Sequence, residues 1–222
     1  MEVSSKDLNN NFLKLSIQVR LNGLSFCIVD SHKNEILWYK KVDFEKEHTP
    51  VQILEQIELL YSSEKVLENS IKDVVLLFSN ELYSLVPSQY FIEGEASNYL
   101  KFNTKILQTD VVAKDLFSNE ELVNVYIPYT NITNYFFDKY GEFEFMHSAT
   151  VLVQSVSHIS GGSSTTAYLN NFKGYYDLVV IKEGALLLSN TFKYDTPEDF
   201  IYYLLFTAEQ LNLNPSEFKL VL

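Results

Sequence analysis

The sequence predicts a mixed α/β protein in which one supersecondary order is laid down twice, giving two lobes. The order strand, strand, strand, capped helix, strand reads near the N-terminus and again near the C-terminus. The helices open on the matching pairs Thr49-Pro50 and Thr196-Pro197. So long a repeat indicates a duplicated fold, although other repeated α/β units produce a similar order. Composition agrees: 15 Tyr and 16 Phe stand against 7 Gly and 5 Pro in 222 residues, the balance of a strand-rich chain with few flexible linkers.

The first copy opens with "FLKLSIQVRL" (12–21), "LSFCIVD" (24–30) and "EILWYKKVDF" (35–44). Asn22-Gly23 separates the first two and is a strong hairpin signal, and "SHKN" is the next turn. In "HTPVQILEQIELLYSS", Thr49 is an N-cap, Pro50 takes the first helical position and Gln52 completes a capping box. Ile53, Ile57 and Leu60 recur at helical spacing and aim one face at the sheet. "DVVLLFS" (73–79) is continuously apolar, as a strand covered on both faces should be.

The second copy reads "TAYLNNFK" (166–173), "YYDLVVIKEG" (175–184) and "ALLLSNTFKY" (185–194), with Glu183-Gly184 as a turn. Thr196, Pro197 and Asp199 then cap a helix, and "EFKLVL" (217–222) is a buried strand. Between the copies, "ELYSLVPSQYF" and "NEELVNVYIPY" are strand-like, and "EGEASNYLKF" holds a helix. "TNITNYFFDKYG" is a short helix capped by Thr130 or Asn131 and closed by Gly141. "HSATVLVQSVSHIS" fits helix or strand by period, and helix is expected because the duplicated plan needs one there. Residues 1–160 then form the first lobe and 161–222 the second, divided near "GGSSTT" (161–166).

Bulk properties exclude several classes. A net charge of -12 argues against nucleic acid and anionic lipid, which need clustered Lys and Arg. The single cysteine, Cys27, lies in an apolar strand and is expected in the core, in a reducing compartment. The N-terminus has no apolar segment behind a basic start, and no stretch approaches the roughly 20 apolar residues of a membrane-spanning helix. A cytoplasmic protein without membrane insertion is expected.

The duplicated meander, helix and parallel strand resemble the actin, hexokinase and heat-shock-70 superfamily, with its ribonuclease H-like lobes. At finer grain, "LVPSQYF", "NVYIPYTNITNYFFDKYG", "MHSATVLV" and "NTFKYDTPEDFIYYLLFTAEQLNLNP" resemble a Bacteroidota family, domain of unknown function 3822, with an actin-like ATPase fold. The resemblance covers nearly the whole chain. It implies a second lobe that is incomplete at the C-terminus and lacks the adenosine-contacting segment.

In active members of that superfamily, the first hairpin of each lobe carries an acid and glycines. Backbone N–H groups must approach phosphate closely, and the carboxylate organises magnesium and its waters. Laid onto this chain, the acid position is Gln18 and the glycine position Arg20; in the second copy they are Asn170 and Phe172. A neutral amide cannot replace the carboxylate, and Arg20 and Phe172 put bulk where the backbone must close. Arg20 is expected as a solvated sheet-face arginine, with direct phosphate contact as the alternative. Gly174 remains as a turn residue and Asp177 as a solvated or edge carboxylate.

Other candidates reduce to structural readings. "SGGSSTT" precedes its strand and lacks the Gly-Lys-Ser/Thr ending of a phosphate loop. His32, His48, His147 and His158 show no zinc-ligand spacing, and no Gly-x-Ser-x-Gly elbow is present. Asp195, Glu198 and Asp199 crowd the first turn of a helix, where its dipole favours acid. "FIYYLLF" (200–206) is apolar nearly all round, which leaves one face for a partner. The expected function is a non-catalytic pseudo-ATPase module without cofactor that binds another protein. The alternative is an ATP-binding protein or small-molecule kinase with an altered cradle. A homodimer through an exposed edge at "FKLVL" is a third reading.

Overall fold

The computed structural model describes residues 12–68, 71, 73–101, 106–107, 110–119, 121–159 and 165–222. The N-terminal stretch and residues 161–164 of the expected linker lie outside the described residues. Two compact units share the chain. One takes the described residues of Met1–Ser84, Phe91–Asp115 and Val125–Ser148; the other takes those of Leu85–Tyr90, Leu116–Asn124 and Ala149–Leu222.

In the first unit, β1 (Leu13–Arg20), β2 (Gly23–Asp30) and β3 (Glu35–Asp43) form the expected meander. Strand β4 (Asp73–Phe78) adds parallel to β1, and β8 (Glu144–His147) adds parallel to β4, so the sheet order is β3-β2-β1-β4-β8. Alternation decides the core. Leu15, Ile17 and Val19 of β1 lie opposite Val74, Leu76 and Phe78 of β4, and all six are buried. Helix α1 (Pro50–Ser63) covers this face with Ile53, Ile57 and Tyr61, and α3 (Thr130–Tyr140) covers it with Ile132 and Phe136. Leu60 is only half-buried and Tyr61 takes the core position. The Asn131 amide donates to the Pro50 carbonyl at 2.8 Å, and the Tyr61 and Tyr140 hydroxyls meet at 2.8 Å, tying the two helices together.

In the second unit, β9 (Thr166–Phe172), β10 (Tyr175–Lys182), β11 (Ala185–Lys193) and β12 (Lys219–Val221) form a sheet of order β11-β10-β9-β12, with β12 parallel to β9. The two faces of this sheet carry different cores. Leu169, Tyr176, Leu178 and Val180 pack under Phe200, Tyr203 and Leu204 of α5 (Pro197–Gln210). Val179 and Ile181 point the other way, onto Val153 and Val156 of α4 (Ser148–Ile159). The result is an α/β/α layering.

The duplication is visible in detail. Strands β2 and β10 begin and end 152 positions apart, and the register shifts in both outer pairs fall at equivalent places, Ile28/Val29 and Val180/Ile181. Both capping boxes form. Thr49 accepts from the Gln52 N–H and Thr196 from the Asp199 N–H, and each partner side chain accepts from the cap's own N–H. Hydrogen bonding from Thr196 draws the Asp199 carboxyl below its usual pKa.

Elsewhere the structure differs from the expectation. A third sheet, of order β5-β7-β6, contains β5 (Tyr83–Pro87), β6 (Ala113–Leu116) and β7 (Leu122–Tyr126). Neither β6 nor β8 is legible in sequence, because each spans only four residues. The helix in "EGEASNYLKF" is α2 (Ala96–Leu100), five residues long. The N-cap of α3 is Tyr129, without a side-chain cap bond; Thr130 and Asn131 are already helical, and Asn131 spends its amide on Pro50. Strand β12 is an exposed three-residue edge and not a buried strand, with Leu220 exposed. Cys27 is half-buried on the face of β2 opposite Phe26 and Ile28, and burial raises its thiol pKa.

Candidate functional site

Three strands of the first unit run parallel, so their carboxyl ends share one edge, the place where ligands bind in open α/β sheets. Val19 lies opposite Phe78, and Phe78 opposite His147, which puts Arg20, Ser79, Asn80 and His147 along that edge. The β1–β2 turn, the first candidate cradle, lies there too. Its two turn residues are Leu21 and Asn22, because Arg20 pairs with Gly23. Gly23 is therefore the first residue of β2, and close approach explains it: an added Cβ would stand 2.7 Å from the Val42 carbonyl oxygen.

At the four cradle positions the structure is specific. Gln18 is half-buried in mid-strand, between Ser25 and Leu77. Arg20 is buried, 5% exposed, and this corrects the expectation of a solvated arginine. It ends β1 against its neighbours' edge, so alternation alone could not place its side chain. A guanidinium does not shed its proton, and the position expected to hold a glycine therefore carries a permanent buried charge. Beyond it, the turn's backbone is engaged: the Asn22 carbonyl accepts from the Phe44 N–H at 2.9 Å and the Leu21 carbonyl from the His48 N–H at 2.7 Å.

The second hairpin repeats this closure within its own unit. Gly174, at φ +76°, makes the turn, and its carbonyl accepts from the Tyr194 N–H at 3.0 Å. The Tyr194 hydroxyl lies 2.9 Å from both the Phe172 carbonyl and the Asn171 side-chain oxygen, holding the turn from outside. Phe172 is half-buried and Asn170 exposed, opposite Asp177 across the ladder. Asp177 is buried, not solvated: at 6% exposure its carboxylate accepts from the Thr191 hydroxyl at 2.8 Å. Its strand is central, between β9 and β11, which sequence alternation did not reveal.

The residues missed in sequence form a buried polar cluster in the first unit. His147 is 1% exposed, between the rings of Tyr83 and Tyr126 at 4.5 and 5.3 Å. Its Nε2–H donates to the Asn80 carbonyl at 3.1 Å, and a carbonyl only accepts, so that nitrogen carries the proton. The Asp115 carboxylate accepts the His147 backbone N–H at 2.8 Å and the Tyr126 hydroxyl at 3.0 Å. Burial drives the His147 pKa down to about 3 and pushes the Tyr126 hydroxyl well above its usual value. The buried neutral imidazole and a carboxylate engaged by two donors hold strand ends in place. The 32-position separation of Asp115 and His147 leaves no local signal of the pairing. Among the described residues no group of three or more His, Cys, Asp or Glu is placed to hold a metal ion, and no helix is long and apolar enough to cross a membrane.

These sheets and their duplicated hairpins define the actin-like ATPase fold. The structure is similar to a Bacteroides thetaiotaomicron protein described as having an actin-like ATPase fold and unknown function, at TM-score 0.84 and 23% identity over 96% of this chain and 84% of that one. It is also similar to a structure of the PilM–PilN type IV pilus biogenesis complex, at TM-score 0.51 and 12% identity over 90% of this chain and 66% of that one. The chain belongs to the family described as protein of unknown function DUF3822, which matches residues 4–222. No protein of curated function matches it.

Proposed function

We propose that this protein is a non-catalytic member of the actin-like fold, a cytoplasmic module that works by binding another protein. The observation that carries the reading is the loss of the phosphate cradle in both copies. Gln18 and Asn170 stand where a magnesium-organising carboxylate is needed, and Arg20 and Phe172 where the backbone must close on phosphate. Independent loss at two equivalent turns is what a fold kept for its shape would accumulate. Both turns also spend carbonyl groups on the segment that follows the third strand of their own meander. The PilM–PilN complex supports the reading as an instance of this fold in a protein assembly.

Calorimetric titration of the full chain with ATP and magnesium tests it. The expected result is no saturable heat up to millimolar nucleotide. Micromolar affinity would overturn the reading in favour of an ATP-binding protein or small-molecule kinase with an altered cradle.

A further inference from the structure

We propose that the outward face of α5 docks an amphipathic helix of a partner protein, one that carries Lys or Arg along the flanks of its apolar stripe. The inference rests on the protein-binding reading above and names its surface and the partner's chemistry. Helix α5 carries two apolar stripes. The inner one, Phe200, Tyr203 and Leu204, packs into the sheet. The outer one, Ile201, Tyr202, Leu205 and Phe206, follows an i, i+1, i+4, i+5 spacing and is 54, 60, 47 and 43% exposed. The Tyr202 and Phe206 rings stack at 5.8 Å with planes 14° apart, making a flat aromatic step. A helix apolar on both sides is one that is covered on both sides.

The duplicated fold supplies an internal control. The equivalent positions of α1, counted from its own Thr-Pro start, are Leu54, Glu55, Glu58 and Leu59. The architecture accepts two glutamates where α5 has Tyr202 and Leu205, so folding does not require the second stripe.

Charge decides the occupant. Glu198 and Glu209 bound the stripe at its two ends, and residues 196–218 contain no Lys or Arg. A second copy laid on this face would set acid against acid. A single basic-flanked helix satisfies both the apolar stripe and its acidic ends, in the helix-in-groove mode of recognition. Anionic lipid is disfavoured by the same acids.

The test uses the full chain and two synthetic helical peptides with the same Leu face, one flanked by Lys and one by Glu, read by fluorescence anisotropy at low and physiological salt. The Lys-flanked peptide should bind at least tenfold tighter than the Glu-flanked one, and more weakly as salt rises. Tyr202→Glu/Leu205→Glu should lose at least tenfold, and the milder Phe206→Ser a few-fold. Val51→Glu/Leu59→Glu, at exposed positions of α1, should change nothing. Circular dichroism checks that each variant is folded. Equal binding of the two peptides, no binding of either, or insensitivity to the α5 variants would overturn the proposal. So would a dimer in light scattering that the α5 variant converts to monomer. Nucleotide titration separates the two readings: peptide failure with a silent ATP titration leaves the protein-binding reading standing, whereas micromolar ATP binding removes that reading whatever the peptides do.

Discussion

Acidification should destabilise the first unit through His147, and the size of the effect follows from its burial. In the unfolded chain this histidine titrates near its ordinary pKa of 6.5, whereas the folded environment holds it at about 3. Between those values the unfolded state binds more protons, so stability is present above pH 6.5 and is lost as pH falls toward 3. The linkage integral gives a loss of about 1.4 kcal/mol at pH 5.5 and about 2.7 kcal/mol at pH 4.5. The Asp115 carboxylate is engaged by the His147 backbone N–H and the Tyr126 hydroxyl, and the imidazole itself meets the Asn80 carbonyl. The sole tryptophan, Trp38, lies in β3 of the same unit and reports its unfolding. Urea unfolding followed by Trp38 fluorescence at pH 7.5, 5.5 and 4.5 should show wild type losing these amounts relative to His147→Gln, whose side chain does not titrate. A difference between the two proteins that stays within about 0.5 kcal/mol over this range would refute the reasoning, since protonation would then cost the fold nothing.

Further outcomes follow from local geometry. Thr49→Ala and Thr196→Ala each remove a capping box and should cost about 1 kcal/mol in chemical unfolding. Gly23→Ala drives a Cβ into the Val42 carbonyl and should cost about 1–3 kcal/mol, whereas Gly184→Asn, at φ +79° with open space around it, should cost a few tenths. Thr150→Val deprives the fully buried Asn124 amide of its acceptor at 2.9 Å, and thermal unfolding should register a loss of about 1–3 kcal/mol.

Where the chain's information is local, the sequence alone determined the outcome. Both Thr-Pro capping boxes and both meanders could be read directly, because a capping box needs four consecutive positions and a hairpin needs a turn between two alternating runs. Helix α4 followed from the duplicated plan even though its period was ambiguous. What only tertiary structure decided depends on neighbours distant in sequence. Arg20 and Asp177 are buried because a strand end and a central strand are covered by other elements, and a period of two does not say which strands those are. Strands β6 and β8 exist because long-range partners hold four-residue segments extended; no such segment specifies itself. The outer stripe of α5 is the reverse case. Sequence placed apolar residues all round that helix, and only packing revealed which face the sheet uses and which it leaves exposed.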